Sequence, residues 1–181
     1  MSHLLISKPQ PGEFDSYYAR YLDAVREGDL LRLLEEQGAE MLDLLRAFGE
    51  VRGSYRYAAG KWSVKEVLGH ITDTERVFAY RALRFARADA TPLPGFEQDG
   101  YVAAAGFDRR TMADLAEEFA DVRRATVKLF AGMDANALAR AGIASGSPLT
   151  VRAAAWIIAG HEQHHARILR ERYLTDPAAG S

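Results

Sequence analysis

Thr150-Val151-Arg152-Ala153-Ala154-Ala155-Trp156-Ile157-Ile158-Ala159-Gly160-His161-Glu162-Gln163-His164-His165-Ala166-Arg167-Ile168 is the stretch that decides the fold. Thr150 is a good helix N-cap, and the helix is expected to run to about Arg172. Val151, Ala154, Ile158, His161, His165 and Ile168 recur at alternating steps of three and four. That period is the inward seam of a bundle helix. Two of its positions are histidines. His161 and His165 lie one turn apart, with Cβ atoms about 5–6 Å from each other, so one ion can bridge them. His164 lies beside the seam and is expected to face more outward.

Working outward, three more long helices are predicted. Asp29 caps a segment to Phe48 in which Leu30, Leu33, Leu34, Met41, Leu44, Leu45 and Phe48 follow the helical period. Ser63-Val64-Lys65-Glu66 fits a capping box and opens a helix to about Arg87. Its apolar face is Val64, Val67, Leu68, Ile71, Phe78, Ala82 and Phe85, and His70 stands at the edge beside Val67, Thr74 and Val77. Thr111, with Asp114 in the first turn, opens a helix that Gly132 ends, with a stripe of Leu115, Phe119, Val122, Thr126, Leu129 and Met133. Phe14 to Val25 is expected to be partly helical and packed on the outside. Thr91-Pro92-Leu93-Pro94-Gly95-Phe96 excludes regular helix. Gln98 to Ala105 reads as a short helix, and Gly142 to Pro148 as a loop. No alternating strand pattern of useful length is present. The expected architecture is all-α, an up-and-down four-helix bundle, in one domain over residues 1–181. Its core spans about 14–174, and a disordered tail is expected at 175–181.

A third histidine, His70, sits on a separate helix. The spacing leaves two readings open. In one, His70, His161 and His165 form a three-histidine metal site with open positions, as in catalytic zinc centres. In the other, each is a hydrogen-bonded core or surface residue. Burying unpaired imidazoles costs roughly 2–7 kcal/mol each on alkane-type references, a cost that an ion offsets. His3 lies at a terminus expected to fray. His161-Glu162-x-x-His165 also matches the zincin signature, but Ile168 and Glu171 stand where the metzincin extension needs glycine and histidine. Glu162 is therefore expected to be a solvated surface residue. Asp73 is either a partner that orients His70 or a surface partner for Arg76. Glu75 is expected to pair with a neighbouring helix. Arg76, Arg81, Arg84 and Arg87 read as a solvated face, with Arg81 a weaker candidate for an anionic ligand. Trp62 and Trp156 read as packing anchors.

The composition sets the outer bounds. The net charge is −2, which offers nucleic acid or anionic lipid no basic field. There is no cysteine, so disulfides, thiolate metal sites and cysteine nucleophiles are excluded. No apolar run reaches the ~18 residues a membrane span requires, and the N-terminal residues do not read as a signal peptide. A cytoplasmic protein that binds neither nucleic acid nor membrane is the expectation.

The run from Arg56 through Trp62, Ser63 and His70 to Asp73, Glu75 and Arg76 resembles the segment around the first metal histidine of DinB-like proteins. These form the damage-inducible, YfiT-like superfamily of metal-binding four-helix bundles. Ala159-Gly160-His161-Glu162-x-His164-His165 resembles that family's second motif. The similarity extends from about Ser16 to Tyr173. It implies that His70, His161 and His165 hold one divalent ion, zinc or nickel. His164 matches a position where histidine is common but is not implied as a ligand. Some relatives activate low-molecular-weight thiols, as in mycothiol-dependent isomerases and bacillithiol S-transferases, while others are called hydrolases, and homodimers are common.

The resemblance thus implies a metal-dependent thiol S-transferase or hydrolase acting on a small molecule. Any thiol must come from a cosubstrate. The Thr91 to Ala105 connection is the expected pocket wall, and no general base is evident. The alternatives are a non-catalytic metal bundle, as ligand sensor or structural site, and an interaction bundle without metal.

Overall fold

The computed structural model describes residues 5–174. The expected tail at 175–181 and His3 lie outside the described residues. A 3₁₀ turn, Ser16–Tyr18, leads into α1 (Ala19–Ala24), then α2 (Leu30–Phe48), α3 (Val64–Ala86) and α4 (Gln98–Ala105). A second 3₁₀ turn, Phe107–Arg109, precedes α5 (Met112–Ala131) and α6 (Ala135–Ala139). Strands β1 (Ala141–Ala144) and β2 (Ser147–Thr150) lead to α7 (Val151–Ile168), which continues through a π-helical turn at Leu169–Tyr173.

The long helices start where their caps predict. Asp29 accepts from the Leu31 and Arg32 amides. Ser63 and Glu66 close a reciprocal capping box. Thr111 accepts from the Asp114 amide and Thr150 from the Ala153 amide. Each such cap is worth about 1 kcal/mol and fixes the register of everything downstream. That matters here because His70 is counted from Ser63, and His161 and His165 from Thr150.

The four long helices α2, α3, α5 and α7 form the bundle. Glu50, just beyond α2, accepts both the Lys65 ammonium at the start of α3 (2.5 Å) and the Met112 amide at the start of α5 (2.7 Å). Arg52 donates to the Tyr173 and Leu174 carbonyls at the far end of the α7 extension. So α2 and α7 run toward this end while α3 and α5 run away from it. The up-and-down order is refined in one respect: α3 and α5 are parallel. The long connection over residues 87–111, which carries α4, makes that return possible.

One expectation fails at residues 142–148, which form a hairpin rather than a loop. Ala144 pairs with Ser147 across a turn whose central residues Ser145 and Gly146 have φ of 54° and 80°. Two left-handed residues are what a tight hairpin turn needs, but four-residue strands carry too short an alternation to show in the sequence. The short α6, capped by Asp134, was equally invisible.

The core is split in two along the bundle axis. One apolar half joins Leu30 to Leu34, Phe78 to Ala86, Phe130 and Val151 to Ala159. The other joins Met41 to Phe48, Val64 to Ile71, Met112 to Phe119, Ala166 and Leu169. Between them lies a layer of buried polar residues: His70, Thr72, Thr74 and Glu75 on α3, Arg123 and Thr126 on α5, and His161 and Glu162 on α7. Buried polar groups persist only when partnered, so this belt is where the fold departs from pure packing.

Candidate metal centre

Residues Ala153 to Glu162 are buried around the full circumference of α7. The N-terminal segment explains this. As expected, it is partly helical and packs on the outside of the bundle, where α1 lies directly against α7 with Tyr21 and Leu22 buried. Gly160 permits the approach, since a Cβ there would come within 2.3 Å of the Tyr21 carbonyl oxygen. Gly69 plays the matching part on α3, where a Cβ would fall 2.4 Å from the Phe107 ring. Each histidine motif thus begins with a glycine that lets a neighbour close over it.

The structure brings His70, His161 and His165 together, with one ring nitrogen from each lying within 4.8 Å of the others. His161 Nε2 is 3.0 Å from His70 Nε2 and 3.1 Å from His165 Nε2. Trp62 packs against His70 with ring centroids 4.7 Å apart, and Tyr21 meets His161 edge-on at 5.7 Å. Burial pushes the His70 imidazole down to about 4. Burial, aided by the neighbouring imidazoles, takes His165 to about 3 and His161 well below its ordinary value. All three are therefore neutral at pH 7.

Neutral imidazoles cannot satisfy this arrangement among themselves. Each ring nitrogen offers one in-plane site, either a proton or a lone pair. His161 Nε2 can serve one neighbour but not both. A cation among the three nitrogens uses all three lone pairs at once. Zinc–nitrogen bonds of about 2.0–2.1 Å in a tetrahedron set nitrogens about 3.4 Å apart, close to the spacings seen. The group is compatible with a divalent metal. Among the described residues no carboxylate joins it.

The group opens on a cleft of about 190 Å³ lined by His70 and His161, the aromatic rings of Tyr17, Tyr18, Tyr21, Phe78 and Phe96, and by Thr74 and Gln98. Phe96 and Gln98 come from the connection expected to form a wall. A larger groove of about 530 Å³ between α2 and α5 contains no histidine. The smaller cleft is the one that reaches ligating atoms.

Asp73 bonds Arg76 at 3.4 Å, the surface-partner alternative. Glu75 pairs with a neighbouring helix as expected: Arg123 of α5 grips it with Nε at 3.0 Å and Nη2 at 2.7 Å. Glu162 corrects the sequence reading. It is 2 % exposed and lies 2.6 Å from Arg123 Nη1, so it belongs to the interior. Burial raises its carboxyl to about 7 against the pull of Arg123. Arg123 also donates to the Leu34 carbonyl at 2.9 Å, which ties in α2. Arg81 is likewise buried, donating to the Pro94 carbonyl and Ser145 Oγ, whereas Arg76 is near half-exposed. Trp156 anchors packing as expected, its indole N–H donating to the Ile6 carbonyl.

A sequence profile of the DinB superfamily matches residues 31–169. The chain belongs to the DinB superfamily. Among solved structures this DinB-superfamily chain is similar to YfiT from Bacillus subtilis, with a TM-score of 0.72 at 14% identity. The match covers 82% of this chain and 88% of that one. YfiT is described as a probable metal-dependent hydrolase with an unusual four-helix bundle topology. At that identity the likeness speaks for the fold, which both share as a four-helix bundle. No curated protein matches the sequence. Among the described residues no helix is long and apolar enough to cross a membrane.

Proposed function

We propose that this chain is a metal-dependent enzyme in which His70, His161 and His165 hold one divalent ion, zinc or nickel. Its reaction would set a low-molecular-weight thiol, or water, against a small electrophilic substrate. The observation that supports this reading is the meeting of three neutral imidazole nitrogens, unable to satisfy one another, beside a cleft. When bound, such an ion supplies Lewis acidity, bringing water to a pKa near ~7 and ionising a thiol.

The chain's own residues do the remaining work. Trp62 and Tyr21 fix the His70 and His161 rings by packing. Among the described residues no carboxylate stands in the histidine group to take a proton. That favours the thiol, which ionises near pH 8.5 unaided, over water, which would want a base. In the thiol reaction the sulfur bonds the electrophilic carbon, its proton passes to solvent, and the leaving group departs with the bonding pair. YfiT's description as a probable metal-dependent hydrolase supports the hydrolytic variant. A purely structural ion is the poorer reading, because the cleft gives His70 and His161 an open approach.

Elemental analysis of untagged protein beside His70→Ala and His161→Ala tests the site. One ion per chain in the parent, lost in both variants, is the expected result. A full ion content in either variant would show the ligand assignment to be wrong. Thiol-transfer and ester-hydrolysis assays on the zinc- and nickel-loaded parent then separate the two nucleophiles.

A further inference from the structure

Two threonines on α3 behave differently. Thr72 Oγ1 donates to the Leu68 carbonyl at 2.9 Å, the usual refuge of a helical threonine. Thr74 has the His70 carbonyl at the same offset but makes no such bond. Its Oγ1 is buried with no hydrogen-bond partner, although the residue is only 3 % exposed. It sits one turn beyond His70 on the same helical face and lines the histidine cleft. An orphaned buried hydroxyl costs about 1–3 kcal/mol of desolvation unless something else fills its valences.

We infer that Thr74 is a substrate-contacting residue, and that the cleft takes a small molecule with a flat apolar body and a polar head. The head lies between the Thr74 hydroxyl and the three histidines. The body lies among Tyr17, Tyr18, Tyr21, Phe78 and Phe96. A hydroxyl both donates and accepts, so it serves a carbonyl, hydroxyl or amide head equally. The aromatic lining sets the body. Tyr18 meets Phe78 edge-on at 5.5 Å, so the wall beside Thr74 is a packed set of rings. The cleft, about 190 Å³, is of the size that holds one ring, since apolar cavities of about 150 Å³ bind benzene. The assignment rests on the metal-dependent reading above.

The test uses zinc-loaded protein, two probes and two variants. Benzohydroxamate carries a metal-chelating head on an aromatic body, and acetohydroxamate carries the same head on a methyl group. Calorimetry should find benzohydroxamate tighter by about tenfold or more, the gain expected from burying a ring. Thr74→Val should weaken benzohydroxamate by about threefold to tenfold with zinc content unchanged, and Thr74→Ser should restore binding. Thr74→Val should also raise the melting temperature of the ligand-free protein, because it removes an unsatisfied hydroxyl while keeping the shape. A structural threonine would do the reverse. Unchanged hydroxamate binding in fully loaded Thr74→Val, or a lowered melting temperature, would overturn the role of Thr74 alone. Equal affinity for the two probes would overturn the aromatic substrate class. A parent protein that takes up no zinc would overturn the metal centre, and this assignment with it.

Discussion

Neighbouring residues on α7 belong to two buried polar clusters that solve the same problem in opposite ways. Glu162 joins Glu75 and Arg123 in a closed set. Arg123 holds Glu75 with two hydrogen bonds, contacts Glu162 and donates to the Leu34 carbonyl, so all four bundle helices meet at one guanidinium. Its surplus negative charge is managed from within, because the Glu162 carboxyl is raised by burial to about 7 and can take a proton. His161, one residue earlier, joins His70 and His165 in an open set. Their protons cannot help, because burial already holds the imidazoles neutral. One cluster is tied together by a guanidinium of the chain's own, and the other is compatible with a cation from outside. A belt across the core thus carries a structural clamp and a candidate metal site side by side.

Arg123→Met should give the largest effect, since it breaks the closed cluster and leaves carboxylates buried without their partner. Breaking such a pair typically costs about 3–5 kcal/mol. For a domain of this size that lowers the melting temperature by roughly 6–20 °C. Thermal denaturation checks it. A loss of only a degree or two would mean that the clamp is not what holds the four helices together, and the contrast between the clusters would fail.

The two clusters should also respond to pH with opposite signs in metal-free protein. The histidines have folded values near 4 and 3 against an ordinary 6.5. The unfolded chain therefore binds more protons below pH 6.5. Stability is full above that value and falls as the pH drops through the folded values. Glu162 is raised from 4.5 to about 7, so its contribution is full below 4.5 and is lost as the pH rises through 7. Between pH 4.5 and 6.5 the two slopes oppose. Urea midpoints across that range should rise with pH in the parent, and Glu162→Gln, which deletes the opposing slope, should make the rise steeper. A parallel curve in the variant would show that Glu162 does not titrate in the folded state.

The clusters were not equally legible in the sequence. The expected apolar positions of α2 and α3 are buried throughout, because amphipathic period and caps agree there. The histidines stood out because imidazoles on an apolar seam are rare enough to notice. The clamp was hidden because its members are ordinary surface residue types. On α5 the stripe was expected through Val122 and Leu129, yet both are half-buried while Arg123 and Phe130 face the core. An apolar residue outranks its arginine neighbour in such a stripe unless carboxylates such as Glu75 and Glu162 wait across the interface. Glu162 looked solvated because α7 reads as a helix with one buried side. Only the fold shows α1 covering the other side, and the alanines from Ala153 to Ala159 with Gly160 were the sign that something packs closely there.

The smallest effect expected is that of His164→Ala, and it sharpens where the open cluster ends. His164 is half-buried beside the seam, with its ring 5.2 Å from Tyr21 and 5.1 Å from His165. It is a fourth imidazole within ring contact of the site but outside the converging group. Its packing supports Tyr21, which in turn packs against His161. Loss of such ring contacts costs about 0.5–1.5 kcal/mol, so the melting temperature should fall by a few degrees at most while the variant retains one ion per chain. The metal content is the decisive readout. If His164→Ala releases the ion as His161→Ala is expected to, the open cluster includes a fourth imidazole. Fewer positions would then be left for a substrate, and the open cluster would come to resemble the closed clamp beside it.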